Sequence, residues 1–354
     1  MPFAIESLPA REGDCLWLEY GNVARPHVVV IDGGRMAAFD VLGPKLEALA
    51  ARGGEVELVM LTHIDADHIE GLIEFVDSSV AVPVKDVWFN DYKCLIEAKR
   101  LSGSEVMGAK QGEVLSEGIV RRKWPWNRAF GGGPAGFDGK KPPTFTLAGG
   151  LELTLLSPTY LDLANLLPTW RDECLDAKIT PGSGRERGAE VMGATPPKPN
   201  VEFAAQEPFK KDTSKANRTS LTLLATFEGK TALLTGDAHE DVIRDSIGQL
   251  DGWPMPLPVA LWKLSHHGSK GTASPALAAT IKAETVLIST DGSRHGHPDD
   301  AAIARVLKSA SACRRLAFNY DNARMRRWDT KSLKAKYGYT TIFPDDSGPL
   351  RIEL

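Results

Sequence analysis

One strand-to-helix turn, at residues 61–72 (LTHIDADHIEGL), constrains this chain more than any other segment. The apolar run VELVML (56–61) predicts a buried strand, and the residues from Ile69 onward predict a helix. The turn between them carries four ionisable side chains: His63, Asp65, Asp67 and His68. Four such groups crowded together cost stability unless a partner compensates their charge. A divalent metal ion is such a partner, so the turn predicts a metal site.

Composition and charge narrow the class of protein. The chain has 354 residues, 25% of them charged, with a formal net charge of -4. That balance is ordinary for a globular protein and supplies no overall basic field to attract nucleic acid. The first residues lack a basic segment followed by an apolar one, and no apolar run is long enough to cross a bilayer. We therefore expect a cytoplasmic protein that does not bind membranes.

The order of strand-like and helix-like segments predicts the architecture. Each half of the chain opens with short apolar strands and closes with strand–helix units, which predicts an α/β (α+β) fold. We expect a four-layer αββα sandwich of two mixed β-sheets with helices on both outer faces. We predict one domain, 1–354, with insertions at about 91–150 and 178–216, where Gly, Pro and charged residues dominate. The C-terminal residues contain a basic segment at 324–336. We predict that a last hairpin follows it.

Further polar clusters follow other predicted strands. They are Gly236-Asp237, the pair His266 and His267, and His297. Together with the 61–72 turn they hold five of the eight histidines, which random surface scatter would not produce. Imidazole and carboxylate together suit zinc, manganese or iron. A carboxylate shared by two ions would place hydrolysis at these strand ends without a Ser or Cys nucleophile.

These motifs resemble those of the metallo-β-lactamase-fold hydrolases. The matching segments are THIDADHIEGL (62–72), LLTGDA (233–238) and LSHHGS (264–269). The sequence is more closely similar to the metallo-β-lactamase domain of ComEC-type DNA-uptake proteins and their stand-alone relatives. That closer similarity rests on Gly13-Asp14, the run Ile31-Asp32-Gly33-Gly34, the run 217–221 (NRTSL) and Gly296-His297-Pro298.

The resemblance implies one or two divalent ions, Zn²⁺ or Mn²⁺ with Mg²⁺ as a further candidate. It implies His63 and Asp65 as ligands of a first ion and Asp67, His68 and His266 as ligands of a second. Asp237 would bridge the two ions. The family's usual histidine before the second hairpin is missing, and Asn217 stands nearest to its position. We expect the first site to be weaker and richer in oxygen ligands.

The remaining candidates have roles beside the metals. His266 is favoured over His267 as the ligand because it comes first after the strand, which leaves His267 facing the leaving group or supporting a ligand. His297 is a candidate to assist the leaving oxygen, although Gly-His-Pro is also a plausible helix start. Asp32 is expected to support the metal loop rather than bind metal. Ser269 and Lys270 could contact a phosphate, although an exposed lysine after a turn is more often simply solvated.

Three functional hypotheses follow. The first is a metallohydrolase that cleaves phosphodiester bonds as a DNA or RNA nuclease. Metal-bound hydroxide would attack phosphorus, and Asp67, His267 and His297 would form the catalytic set. Basic residues at 121–123 and 324–336 could then follow a nucleic-acid backbone. The second is a hydrolase of a small ester, lactone or cyclic nucleotide. The third is a scaffold that binds a protein partner, or is activated by one, within a multi-gene system.

Overall fold

The structure is a computed structural model, and it describes residues 2–102, 111–176, 197–309, 313–346 and 348–354. Within these residues the strands are β1 (Phe3–Ser7), β2 (Leu16–Asn22), β3 (Arg25–Ile31), β4 (Val56–Met60), β5 (Val87–Trp88), β6 (Thr144–Thr146), β7 (Glu152–Ser157), β8 (Thr222–Phe227), β9 (Lys230–Leu234), β10 (Leu257–Lys263), β11 (Ile281–Ile288), β12 (Arg315–Phe318), β13 (Thr340–Ile342) and β14 (Leu350–Glu353).

Helices occupy the connections between these strands. Over the same residues they are α1 (Phe39–Ala51), α2 (Ala66–Asp77), α3 (Tyr92–Ser102), α4 (Gln111–Arg122), α5 (Tyr160–Asp176), α6 (Val201–Ala205), α7 (Lys215–Arg218), α8 (Glu240–Ile247), α9 (Pro275–Thr280), α10 (Asp300–Lys308), α11 (Ala323–Arg326) and α12 (Lys331–Tyr337).

The strands form two mixed sheets. The first has the order β14-β1-β2-β3-β4-β5, antiparallel from β14 to β3 and parallel from β3 to β5. The second has the order β13-β12-β11-β10-β9-β8-β7-β6 and is parallel from β13 to β9 and antiparallel from β9 to β6. Each sheet therefore contains parallel strands whose carboxyl ends lie along one edge, the usual place for a site in such sheets.

Three apolar clusters show how the layers pack. One joins the inner faces of the two sheets, for example Leu18 and Val29 of the first against Leu223 and Leu261 of the second. A second packs α1 and α2 on the outer face of the first sheet, and a third packs α8 to α10 on the outer face of the second. Alternating side chains along each strand supply both faces, as expected for sheets buried on both sides. The result is helix, sheet, sheet, helix.

The start of α2 is held by two glycine-containing loops. The carbonyl of His68 accepts a hydrogen bond from the Gly33 amide at 2.7 Å, and the Gly71 amide donates to the Gly34 carbonyl at 3.1 Å. On the other side, the Asp14 amide donates to the Asp67 carbonyl at 3.3 Å. Backbone approaches this close leave no room for a side chain at Gly33 or Gly71. The first turn of α2 is therefore fixed before any metal is considered.

These observations confirm the predicted fold class, two mixed sheets with helices on both outer faces. The predicted last hairpin is wrong. β13 pairs with β12 in the second sheet, whereas β14 pairs antiparallel with β1 in the first. The reason is that Leu350 and Ile352 alternate toward the inter-sheet core, which the open edge at β1 lets them reach. Of the predicted insertion at 178–216, residues 178–196 lie outside the described residues, and its boundaries stay a prediction.

Within the described ranges, no helix combines the length and the apolar character needed to cross a bilayer.

We predict that Gly71→Ala destabilises the protein by about 1–3 kcal/mol, because its methyl group would overlap the carbonyl oxygen of Gly33. Urea denaturation measures the free energy of unfolding. Gly248→Ala is the matched control, since Gly248 has helical angles (φ -63, ψ -15) that alanine adopts freely. Equal stability of the two variants would contradict this packing of α2.

Candidate metal centre

The predicted residues meet where the ends of both sheets come together. His63 follows β4 and Asp67 and His68 begin α2, all from the first sheet's side. Asp237 follows β9, and His267 follows β10, in the second sheet. The neighbouring strands β9 and β10 are parallel, so their ends place Asp237 beside the histidine pair. The site thus draws on both halves of the chain.

Four ligand-type atoms form a compact inner cluster. The Nε2 atoms of His68 and His267 lie 3.2 Å apart. Asp67 Oδ2 lies 3.8 Å from His68 Nε2 and 3.4 Å from His267 Nε2. Asp237 Oδ2 lies 3.5 Å and 3.3 Å from the same two nitrogens. Ligands about 2.0–2.2 Å from a tetrahedral ion are separated by about 3.3–3.6 Å, so the cluster has the dimensions of one coordination sphere.

Hydrogen bonds to Nδ1 of His68 and of His267 show which ring nitrogen is available to bind a metal ion. His68 Nδ1 lies 2.7 Å from Asp32 Oδ2, and His267 Nδ1 lies 2.9 Å from the carbonyl oxygen of Ser289. Both partners are acceptors, so each Nδ1 carries the proton and each Nε2 presents a lone pair. Two lone pairs and two carboxylates facing one another require a cation or additional protons. A divalent ion fits this donor set.

The pKa shifts of His68 and His267 agree with the need for a cation or additional protons at the cluster. Burial lowers the pKa of His68, but Asp237, Asp32 and Asp67 outweigh burial and hold it well above its ordinary value. His267 behaves alike: burial opposes protonation, and Asp237 and Asp14 raise the pKa well above the usual range. Without a metal ion, the site takes up protons instead. A divalent ion would displace those protons on binding.

Asp32 holds His68 from behind. The two oxygens of Asp32 accept hydrogen bonds from the Thr62 amide at 2.7 Å and the Thr62 hydroxyl at 2.8 Å, in addition to His68 Nδ1. Asp32 itself is fully buried and has a left-handed backbone, φ 59. A carboxylate behind a ligating histidine fixes the ring and makes it a better ligand. This geometry suits the supporting role that the sequence predicts for Asp32.

A buried ion pair adjoins the inner cluster. Lys263 is 1% exposed, forms an ion pair with Asp14, and donates to the Gly236 carbonyl at 3.0 Å. Its ammonium also lies 3.7 Å from Asp237 Oδ1. Burial raises the pKa of Asp14, but Lys263, His267 and His68 together outweigh burial and lower the pKa to about 2. Asp14, His68, Asp237 and His267 offer ligand atoms within 4.8 Å of one another, yet Lys263 already occupies Asp14. Asp67 is therefore the better fourth ligand.

His63 and Asp65 form an outer pair next to the cluster. His63 Nε2 is buried without a hydrogen-bond partner and lies 3.6 Å from Asp65 Oδ2. Asp65 stands at the N-cap of α2 but makes no capping hydrogen bond, so its carboxylate remains directed toward His63. The His63 and His68 rings are 4.2 Å apart. These two side chains meet as predicted for a first ion, but two ligands alone are too few.

The remaining predicted residues lie further from the inner cluster. Asn217 Nδ2 lies 2.8 Å from Asp212 Oδ2 and 3.2 Å from His266 Nδ1. The His297 ring lies 5.4 Å from that of His266, and its Nδ1 is 3.4 Å from Asp299 Oδ2. Lys270 pairs with Glu207, and the Ser269 hydroxyl accepts from the Gly271 amide at 3.3 Å. Ser269 and Lys270 therefore contact protein groups instead of the inner cluster.

The structure places His267, and not the favoured His266, against Asp67 and His68. Three further residues near the site, Asp14, Asp212 and Lys263, have roles that the sequence did not predict. In the sequence, Asp14 stands out only as part of a Gly-Asp pair. Asp212 lies in a polar segment, where nothing distinguishes it from its neighbours. Lys263 gave a usable signal, because a lysine inside the apolar strand LPVALWK needs an acidic partner once buried.

Most of the basic residues proposed to contact nucleic acid have partners within the protein. Arg326 pairs with Asp321 and Asp329, and Arg327 pairs with Asp300. Arg122 donates to backbone carbonyls at the end of α2, including that of Phe75 at 2.9 Å, and Lys334 and Lys336 also have acidic partners. These contacts give the paired residues a structural role within the fold.

Comparison with known proteins gives one family match and similarities to solved structures. A family model described as the metallo-beta-lactamase superfamily matches residues 24–87, which include the His63–His68 turn. No curated protein matches the chain in sequence. Among solved structures, a HARLDQ-motif mutant of a metallo-beta-lactamase from Cronobacter sakazakii is similar over 70% of each chain, at 13% identity and a TM-score of 0.29.

A second solved structure is that of CmlA, a diiron beta-hydroxylase from Streptomyces venezuelae. The similarity covers 100% of this chain and 54% of CmlA, at 11% identity and a TM-score of 0.39. The family match together with the two mixed sheets is consistent with the metallo-β-lactamase fold. The closer similarity to ComEC-type proteins stays a prediction.

We predict that metal stabilises the protein more strongly at higher pH. In the metal-free protein, His68 and His267 hold protons that the unfolded chain releases near its ordinary pKa of 6.5. Their stabilising contribution is complete below that pH and is lost as pH rises through the raised folded-state values. Differential scanning fluorimetry with and without Mn²⁺ should therefore show a larger gain in Tm at about pH 8.5 than at about pH 6. An equal gain at both would contradict metal binding at these rings.

We predict that Asp32→Asn weakens binding of the inner ion by about 10–100-fold, because the amide no longer forces the proton onto His68 Nδ1. Isothermal titration with Mn²⁺ measures the affinity. Glu57→Gln is the matched control, since Glu57 Oε1 contacts His27 Nδ1 at 2.7 Å at the opposite strand ends. Loss of affinity in both variants, or in neither, would contradict the role of Asp32.

Proposed function

We propose that this chain is a metal-dependent hydrolase and that its substrate is a phosphodiester. The observation that carries the proposal is the inner cluster, in which the lone pairs of His68 and His267 face Asp67 and Asp237. When bound there, a divalent ion would lower the pKa of a coordinated water and polarise the bond to be cleaved. The metallo-beta-lactamase family match at residues 24–87 supports the same class of chemistry.

The chain's own residues divide the remaining work. Asp67 and Asp237 supply negative charge to hold the ion, and Asp32 and the Ser289 carbonyl orient the two rings. Lys263 neutralises Asp14, which would otherwise add a further buried negative charge beside Asp237. His267, predicted to face the leaving group or to support a ligand, is better suited to hold the ion, because its Nε2 faces the cluster and its Nδ1 is bound to the Ser289 carbonyl.

His297 is the group we propose for proton transfer to the leaving oxygen. Its ring lies beside His266 at the open side of the site, and Asp299 Oδ2 lies 3.4 Å behind its Nδ1. Burial lowers the pKa of His297, and Asp299 opposes this only in part. A largely neutral imidazole at neutral pH can both accept and return a proton.

A phosphodiester is favoured because carboxylates are abundant at the centre. Asp67, Asp237 and Asp65 together suit oxygen-preferring ions such as Mn²⁺, which commonly act on phosphoryl groups. If the phosphodiester is part of a nucleic acid, the protein is a nuclease. The basic segments support a nucleic-acid substrate less strongly, since Arg326 and Arg327 form ion pairs within the protein. Assays on nucleic acids and on a small phosphodiester distinguish the two kinds of substrate.

We predict that the Mn²⁺-loaded protein hydrolyses bis(p-nitrophenyl) phosphate and that Asp67→Ala reduces the rate by more than about 100-fold, because it removes a ligand of the ion. Asp77→Ala, at the opposite end of α2 and exposed, is the control and should keep the wild-type rate. Labelled single- and double-stranded DNA and RNA are tested in parallel to identify any polymer substrate. Hydrolysis of a lactone or carboxylic ester, but of no phosphodiester, would contradict the proposed substrate.

A further inference from the structure

A buried lysine at the end of β10 stands beside the inner cluster. Lys263 is 1% exposed, and three protein oxygens lie around its ammonium group. It forms an ion pair with Asp14 Oδ2, donates to the Gly236 carbonyl at 3.0 Å, and lies 3.7 Å from Asp237 Oδ1. A buried lysine is tolerated only when such partners balance its charge. Lys263 is therefore a fixed positive charge at the edge of a site built to hold a cation.

Asp14, the partner of Lys263, has an oxygen that the protein leaves unused. Asp14 is 1% exposed, and its Oδ1 is buried without a hydrogen-bond partner among the described residues. Oδ1 lies 3.6 Å from His267 Nδ1. Asp14 also offers a ligand atom within 4.8 Å of ligand atoms of His68, Asp237 and His267. Asp14 thus has the position and the chemistry of a metal ligand, but its other oxygen is held by Lys263.

The charges around the cluster show what Lys263 changes. Asp14, Asp67 and Asp237 are three buried or largely buried carboxylates beside the two rings, and Lys263 offsets one of them. If Lys263 were neutral, a divalent ion would be the cation nearest to Asp14. A buried carboxylate without a cation is strongly unfavourable, so Asp14 would then attract the ion. The ammonium group of Lys263 therefore competes with the ion for Asp14.

We propose that Lys263 determines the affinity of the metal centre, because it keeps Asp14 from binding the divalent ion. Asp14 is in this sense a latent ligand. The inference rests on the metal centre of the proposed function and deepens it by naming the residue that limits how tightly Mn²⁺ binds. With one carboxylate fewer around it, a bound ion keeps more positive charge to act on an anionic substrate.

The simpler alternative is that Asp14 and Lys263 form a tie between the two halves of the chain and nothing more. Loss of either partner would then disturb the cluster in the same way, and both variants would bind metal less well. The proposal instead requires opposite effects on affinity. Loss of Lys263 frees Asp14 to attract the ion, whereas loss of the Asp14 charge leaves Lys263 uncompensated beside Asp237 and repels the ion.

Isothermal titration of chelator-treated, full-length protein with Mn²⁺ measures these effects without relying on activity. We expect Lys263→Met to bind Mn²⁺ about 10–100-fold more tightly than the wild type and Asp14→Asn to bind it about 10–100-fold more weakly, the range found for residues behind metal ligands. The double variant, which lacks both charges, should lie near the wild type. Lys45→Met is the matched control, since Lys45 Nζ pairs with Glu6 Oε2 at 2.6 Å on the outer face of the first sheet. Its affinity should equal that of the wild type.

Cobalt supplies a second readout, which reports on the ligands themselves. The visible absorption of bound Co²⁺ weakens as the number of its ligands rises. We therefore expect a weaker Co²⁺ spectrum in Lys263→Met than in the wild type, and a return to the wild-type intensity in the double variant. An unchanged spectrum in Lys263→Met would contradict the recruitment of Asp14.

The outcomes separate this inference from the proposed function. No binding of Mn²⁺ to the folded wild type would overturn both. Binding to the wild type, with equal or lower affinity in folded Lys263→Met, would overturn the role of Lys263 and leave the metal centre in place. Equally tight binding in Lys263→Met and in the double variant would show that Asp14 is not the group withheld. If Lys263→Met does not fold without metal, Asp14→Asn and the double variant decide, and an affinity of Asp14→Asn at or above that of the wild type overturns the proposal.

Discussion

The site depends on one electrostatic conflict. The ring nitrogens of His68 and His267 face each other at 3.2 Å while their opposite nitrogens are committed to Asp32 and a backbone carbonyl. Asp67 and Asp237 add two carboxylates to the same small volume. Buried groups of this kind are tolerated only when a positive charge lies among them. The arrangement around the cluster follows from supplying that charge and keeping the four side chains in place.

Both sheets contribute to holding the cluster. The first sheet supplies the turn after β4. The loops at Gly13 and Gly33 form backbone hydrogen bonds to the first turn of α2 from two sides. The second sheet supplies Asp237 and the histidine pair from adjacent parallel strands. Lys263 on β10 reaches across to Asp14 ahead of β2, so an ion pair joins the halves beside the centre. The same contacts therefore join the two halves of the chain and position the site.

Much of this could be predicted from the sequence because local patterns specify it. An apolar strand followed by HIDADH fixes a polar turn, and LLTGDA and LSHHGS place more ligands at strand ends. The direction of each ring in the His266–His267 pair could not be predicted, since it depends on two successive left-handed residues. Nor could the partners of the basic segment, because Arg327–Asp300 and Lys336–Glu202 join residues remote in sequence. β14 was misplaced for the same reason, since its partner β1 lies at the other end of the chain.

Anomalous X-ray scattering from crystals grown with Mn²⁺ would locate the ion without any assumption about activity. We predict an anomalous peak within bonding distance of His68 Nε2, His267 Nε2 and a carboxylate oxygen of both Asp67 and Asp237. Crystals with no peak there, and with the two imidazole rings turned so that each nitrogen finds a hydrogen-bond partner in the protein or in water, would contradict a metal centre at these four side chains.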